Sequence, residues 1–398
     1  MQAVGSASGN LTVYRGSLDG QSLHVAFIEN RIASGSIGVL EAKKLASLFR
    51  IAALSKASIV LYLDSAGARV SEGLRALGAF RALFKEGVAA AAVGAPIAVA
   101  IGRNCYGGAS MLAHLAKRRL LSPTSQLAMS GPSILAQAAG VSALDDMFRA
   151  IAEATISAPA RAEANDANHV WTTDMDLTAW LREAMVPVPQ TWNAFYARHQ
   201  GLAARIKDAP AAQSPAPAQR KDLEKLFPDG YHASESAGII TGEARRNASA
   251  APMLGLVGAS PLSCVRAWRF AEALWAHAKA PTARLELLLD CESHAPRIED
   301  EKIVLTEFIV DVGLALGAIA ARGTFIDLTI LGRAGGGVYV AVAAFASRIS
   351  VIYGADIQVL PGSAIASILG ENREAVGSIE EYRSAQVADE ELRLGIVP

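Results

Sequence analysis

The sequence is poor in cysteine, in aromatic residues and in surplus charge, and each shortage closes off a class of function. Its three cysteines, Cys105, Cys264 and Cys291, stand far apart. They give neither the paired spacing of a metal knuckle nor an even-numbered disulfide framework, so a reducing cytoplasm is the expected compartment. Lys plus Arg (37) nearly cancels Asp plus Glu (38), leaving a net charge of -1. That balance offers no electrostatic footprint for nucleic acid or an anionic membrane. Met1 to Asn10 lack a basic stretch followed by an apolar one, so they do not read as a secretory signal. The longest apolar run, Gly87–Gly102, is rich in Ala and Gly, broken by Pro96, and too short for a bilayer span.

What is present suggests two packed domains. The chain has 398 residues, 52% apolar and 19% charged, too long for one ordinary core and too apolar for disorder. Aromatics supply only 6%, so Ala and Gly carry much of the apolar content and favour close packing of helices and backbone. The stretch Asp208–Gln219 contains three prolines, one charge and no large apolar residue, which reads as an extended linker. The boundary is therefore expected at 205–221, between domains at 1–204 and 222–398.

These halves repeat one order of elements. Ala57–Asp64 and Arg284–Asp290 are apolar runs ending in Asp. A helical stretch follows each (about Lys302–Arg322 in the second half), then a second buried-strand pattern, Pro96–Gly102 and Thr324–Gly332. Each runs into Gly-Arg, a glycine-containing loop (Asn104–Gly108 and Ala334–Gly337) and an Ala-rich helix. A short apolar strand and a Pro/Gly turn close both, at Ser130–Ser133 and Leu360–Ser363. Set without gaps, residues 97–136 and 327–366 share eight identities in 40, matching Gly102, Arg103 and Gly107 to Gly332, Arg333 and Gly337. The shared order marks an internal duplication. Strands alternating with helices imply an α/β fold with a largely parallel sheet in each half.

A strand, a glycine loop and a helix can hold developing negative charge on oxygen. Glycine permits positive φ and close approach of a ligand, and the helix leaves N–H groups unpaired at its start. An unliganded tight turn is the alternative reading. Neither loop spells G-x-G-x-x-G with an acidic residue at the next strand end, and neither carries G-K-[ST]. G-x-S-x-G is absent, and no His/Cys/Asp cluster has metal-ligand spacing. Asp64–Gly73 lies at a strand's C-terminal end, where α/β sheets bind ligands. Arg69 there could pair with Glu72 or meet a phosphate.

Asp64-Ser-Ala-Gly-Ala-Arg-Val-Ser-Glu-Gly73 resembles the Asp-Ser-Gly-Gly-Ala-Arg-x-x-Glu-Gly signature of acyl-CoA carboxyltransferases, and Gly102–Ala109 resembles their oxyanion loop. Ser130–Gly140 is similar to the Gly-Pro-x-x-Ile-x-Gln-x-x-Gly stretch of the β subunit of biotin-independent malonate decarboxylase. Leu287–Asp290, Leu331–Val338, Leu360–Ala366 and Glu381–Val387 resemble its γ subunit. The likeness covers most of residues 20–140 and 225–398. Ala66 departs from it, standing where a second Gly is usual, as does Cys291-Glu-Ser-His294, which replaces a small-residue turn. Residues 150–205 match no recognised pattern.

This resemblance implies tandem crotonase-like, carboxyltransferase-type ββα domains, the β and γ parts fused in one chain. The implied reaction is decarboxylation of a malonyl thioester on an acyl carrier protein, giving the acetyl thioester through an oxyanion-stabilised enolate. Gly107 and Gly108, and Gly336 and Gly337, are the implied oxyanion donors, facing one another between the halves. Ser65, Ala66, Gly67, Ala68, Arg69, Tyr106, Gly131 and Pro132 are the implied substrate- and pantetheine-binding residues. Tyr106 and Tyr339 lie where a proton donor would be needed, but packing is the commoner role of a buried Tyr, and His114 is set aside on the same ground. No metal and no cofactor bound by the chain itself are expected. The phosphopantetheine-type arm comes with the carrier, an acyl or malonyl transferase subunit is a further candidate partner, and a homo-oligomer is expected. A biotin-dependent acyl-CoA carboxyltransferase component and a non-catalytic scaffold are the competing readings.

Overall fold

The structure, a computed structural model, describes residues 2–3, 9–141, 144–187, 191–207, 209, 220–246, 249–360 and 377–394. Most of the Pro/Ala-rich linker and residues 361–366 of the Leu360–Ala366 motif lie outside the described residues. Sixteen strands arise among the described residues, and the central ones are the continuous apolar runs of the sequence. They are β1 (Gln2–Ala3), β2 (Leu11–Leu18), β3 (Gln21–Ile28), β4 (Ser58–Ser65), β5 (Ile97–Tyr106), β6 (Arg118–Leu121), β7 (Gln126–Ala128) and β8 (Asn168–Val170). The second set is β9 (Tyr231–Ser236), β10 (Ile239–Arg246), β11 (Ser249–Ala259), β12 (Arg284–Cys291), β13 (Phe325–Gly335), β14 (Arg348–Ile352), β15 (Asp356–Gln358) and β16 (Glu390–Leu392).

Two eight-stranded mixed sheets result among the described residues, in the orders β1-β2-β3-β4-β5-β6-β8 and β16-β14-β13-β12-β11-β10-β9. In each, an extra strand pairs with the C-terminal end of a long central strand, β7 with β5 and β15 with β13. Three antiparallel strands open each set (β1–β3 and β9–β11), and the pairings that follow are parallel. Ile59, Leu61, Leu63, Leu285, Leu287 and Leu289 are fully buried, as parallel strands covered on both faces require.

The chain forms two compact units that exchange short segments. The first comprises Met1–Glu72, Ala82–Phe195 and Pro296–Val310; the second comprises Gly73–Arg81, Tyr196–Ala295 and Asp311–Pro398. Ile298 packs on the first unit's cluster of Leu135, Ala136, Phe148 and Ala152. In the second unit, Arg81 Nη1 donates to the Ala343 carbonyl at 3.4 Å, and the bare face of Gly78 lies against the Ala385 carbonyl. The helix expected at Lys302–Arg322 is instead two, Ile298–Lys302 and Leu305–Ala320. The cause is local: Val304 sits at φ +66, outside right-handed helical space. No helix among the described residues is long and apolar enough to cross a membrane.

Candidate functional site

The first unit gathers its glycines where β4 and β5 end. β5 runs on through Arg103, Asn104 and Cys105 to Tyr106, so the loop is shorter than its sequence suggests: Gly107, at φ +54, turns directly into the helix Gly108–Ala113. β4 ends at Ser65, and the following turn is stitched to residues 34–37. Ala66 N–H donates to Ser34 O (2.9 Å), Ile37 N–H to Gly67 O (2.8 Å) and Arg69 N–H to Ile37 O (2.9 Å). Buried Ser65 accepts from Gly67 N–H at 3.1 Å.

Gly67 is required on two counts. Its φ is +98, and a methyl group there would lie 2.8 Å from Tyr106 O and 3.4 Å from Gly108 N. Gly67, Ala68, Tyr106, Gly107 and Gly108 are thus brought to one place. The Ala68 N–H points away from residue 37, because a parallel bridge at Ile37 and Ala68 uses the groups of Gly67 and Arg69 on that side.

The two expected donors of this loop are not equivalent. Gly107 N–H donates to Met129 O at 3.1 Å and is spent inside the protein. Gly108, first in its helix, has no carbonyl one turn back to receive its N–H. That helix has six residues, so what it offers is individual N–H groups rather than a long dipole.

Arg69 is committed within the chain. Its Nη2 bonds Glu41 (2.5 Å) and Ser36 O (2.8 Å), its Nη1 bonds Glu72 (2.8 Å), and its Nε bonds Ser36 Oγ (3.2 Å). Of the two roles open to Arg69, pairing with Glu72 is the one found, and Glu41 is added to it. Burial raises the Glu41 pKa, but the Arg69 bond and the backbone N–H groups of Glu41 itself and Asn10 outweigh it and hold the carboxyl below its usual value.

Tyr106 lies with its hydroxyl between the side-chain oxygens of Asn104 (3.0 Å) and Gln126. Burial above all raises its pKa, so the phenol keeps its proton. Its ring covers Gly131, where a methyl would come within 3.2 Å, and Pro132 starts the next helix, Pro132–Ala138. Tyr339, in the second unit, is fully buried and donates to Val387 O at 2.6 Å, an anchoring role.

In the second unit, β13 leads through Gly335 to Gly336 (φ +53) and the helix Gly336–Ala343. Strand pairing sets the true correspondence of the repeat. Tyr106 pairs with Ala128 as Gly335 pairs with Gln358, so Gly107 matches Gly336 and Gly108 matches Gly337. The ungapped alignment, which set Gly107 against Gly337, is one residue out of register. Likewise Ala68 bridges Ile37 as His294 bridges Leu262, which makes Ser293 the counterpart of Gly67. A methyl on Gly336 would lie 2.8 Å from Ser293 Oγ, and that hydroxyl lies 3.2 Å from His294 Nδ1. Burial pushes the His294 imidazole down to about 4, so it is neutral at pH 7. The second loop therefore carries a hydroxyl and an imidazole where the first has bare backbone.

Sequence reasoning missed a buried polar cluster behind the first loop. Glu301, Thr306 and Glu307 pack in the first unit beside Ser110, His114, Arg119, Ser130 and Arg161. These contacts span 140 to 196 residues of sequence, so no local spacing signals them. His114, set aside above, is fully buried, with Nδ1 2.9 Å from Ser110 O and Nε2 3.6 Å from Glu307.

Residues 5–229, more than half of the chain, match the carboxyl transferase domain. The chain is 27% identical over 218 residues to methylmalonyl-CoA decarboxylase subunit alpha of Veillonella parvula, covering 54% of this chain and 39% of that protein. It is 30% identical over 126 residues to the putative propionyl-CoA carboxylase beta chain of Bacillus subtilis strain 168, covering 31% of this chain and 25% of that protein. The chain thus spans well under half the length of these curated relatives. Among solved structures, a Pseudomonas malonate decarboxylase hetero-tetramer in complex with malonate matches at 24% identity with a TM-score of 0.44, over 52% of this chain and 77% of that one. An α/β chain with two mixed sheets, matched by that domain over more than half of its length, it belongs to the carboxyl transferase domain family.

Proposed function

We propose that this chain decarboxylates a malonyl thioester presented on an acyl carrier protein, with its halves corresponding to the β and γ subunits of a biotin-independent malonate decarboxylase. The observation that carries the reading is the Gly67–Gly108 approach in the first unit, where bare backbone and an unspent N–H meet at the ends of β4 and β5. A thioester oxygen placed there would be met by Gly108 N–H, with Ala68 N–H as the second donor. In the reaction the bond between the α-carbon and the carboxylate carbon breaks, CO2 departs, and the electron pair delocalises onto the thioester oxygen as an enolate. Donors already aimed at that oxygen favour the enolate over the ground-state carbonyl, each essential donor by about 3–4 kcal/mol. A proton from solvent or a protein group then restores the α-carbon as acetyl thioester.

Ser65, Ala66, Arg69, Tyr106, Gly131 and Pro132 enter this reading as the walls around the donors rather than as acids or bases. Arg69 shapes the turn through Ser36, Glu41 and Glu72, and protonated Tyr106 fixes Gly131. The phosphopantetheine-type arm belongs to the carrier protein, the partner this reading requires.

The test is product analysis in D2O. Malonyl-carrier protein incubated with the chain should yield acetyl-carrier with one deuterium incorporated per turnover, seen by intact-protein mass spectrometry. Recovery of the carboxyl group on a biotinyl protein, with no acetyl-carrier formed in its absence, would replace this reading by a biotin-dependent carboxyltransferase.

A further inference from the structure

We infer that Glu301 and Thr306, supplied by the second sequence half, are positioning residues for the Gly107–Gly108 loop of the first. This rests on the proposed role of that loop in holding the thioester oxygen.

Gly107 is gripped through both of the peptide groups that flank its α-carbon. On the amide side its N–H donates to Met129 O at 3.1 Å. The next residue, Ser130, donates its own N–H to Glu301 Oε1 at 2.8 Å. The second Glu301 oxygen lies 3.1 Å from Arg161 Nη2, and Arg161 also donates to Leu127 O and to Glu301 O, both at 2.6 Å. Glu301 and Arg161 are 0% exposed. Leu127 to Ser130 are therefore held by a buried ion pair whose acid comes from residue 301. Losing that acid would take the carboxylate from the buried Arg161 guanidinium and loosen the segment that receives the Gly107 N–H.

On the carbonyl side Gly107 O accepts from Ser110 Oγ at 2.7 Å. Ser110 Oγ lies 3.1 Å from Thr306 Oγ1, and both residues are fully buried. Because Ser110 gives its one proton to Gly107 O, the Thr306 hydroxyl is the donor between them. The chain Thr306 to Ser110 to Gly107 thus has a fixed direction. One residue on, Glu307 lies near His114, Arg119 and Asn165, and His114 Nδ1 meets Ser110 O at 2.9 Å. A carbonyl only accepts, so that nitrogen carries a proton. Residues 301–307 consequently bear on the two peptides that flank Gly107, Glu301 through Met129 on the first and Thr306 through Ser110 on the second, which carries the Gly108 N–H. A loop that depends on one glycine at positive φ has little of its own to resist rotation.

The experiment uses the full chain with Thr306→Val, Thr306→Ser and Glu301→Gln. Two readouts are taken: steady-state decarboxylation of malonyl-carrier protein, and hydrogen–deuterium exchange of the peptide covering residues 105–113. Thr306→Val, close to isosteric, should lower kcat about tenfold with KM changed less than about twofold, and should speed exchange in that peptide. Thr306→Ser, which keeps the hydroxyl, should restore both. Glu301→Gln should speed exchange in the same peptide if the variant folds. Wild-type exchange at 105–113 in Thr306→Val would overturn the inference, with or without turnover. Faster exchange in a chain whose wild type releases no CO2 would uphold the positioning role and instead remove the decarboxylase reading.

Discussion

The Cβ that Gly67 lacks would stand 3.4 Å from the amide nitrogen of Gly108, and closer still to the carbonyl of Tyr106. That approach joins the ends of β4 and β5 and leaves a face of backbone open to a ligand. Gly67→Ala should therefore damage function more than stability. Strain at φ +98 costs about 1–3 kcal/mol, while the displaced Gly108 N–H should lower kcat about a hundredfold. Paired urea unfolding and steady-state assays check this; equal losses in the two would point to a structural role alone.

The second loop is packed differently, and a double-mutant cycle exposes the difference. Gly336→Ala meets both a positive φ and the Ser293 hydroxyl, whereas Gly107→Ala meets positive φ and little else. Replacing Ser293 with Ala should recover about 1 kcal/mol of the Gly336→Ala loss in unfolding free energy. Strict additivity would show that Ser293 does not confine Gly336.

Arg69 should behave as the clamp of the first unit's turn. Removing it in Arg69→Met leaves buried Glu41 without its cation and should cost about 3–5 kcal/mol. Arg69→Lys should recover only part, since one ammonium cannot reach Ser36 O, Glu41 and Glu72 together. Urea midpoints measure both, and a Lys variant as stable as the parent would contradict the geometry.

His294 predicts a pH dependence with a definite sign. Its folded pKa of about 4 lies below the ordinary 6.5, so the unfolded chain binds the extra proton between those values. Stability is therefore complete above pH 6.5 and is lost as pH falls toward 4, by about 3 kcal/mol from this residue. Buried His24 and half-buried His277 shift in the same direction and add to the slope. Thermal unfolding of His294→Asn across this range should show a shallower slope than the parent.

The strands were legible because buried parallel strands need uninterrupted apolar runs, and Ile59–Leu63 and Leu285–Leu289 supply them. The loops were legible because positive φ beside a strand end calls for glycine, and Gly107 and Gly336 recur in order. The register between them was not, since the one-residue offset shows only in the pairing of Tyr106 with Ala128 and Gly335 with Gln358. Spent and unspent donors also look alike in sequence: Gly107 differs from Gly108 only through Met129, a residue from another strand's end. No local spacing marks Glu301 or Thr306, and their importance exists only once residues 296–310 pack in the first unit.

The central claim is most directly tested by following CO2 from malonyl-carrier protein labelled in its free carboxyl group, with purified chain and excess avidin. The account predicts label released as CO2 at a rate unaffected by avidin and lowered by Gly67→Ala. No release, or release abolished by avidin and restored by a biotinyl protein, would contradict it.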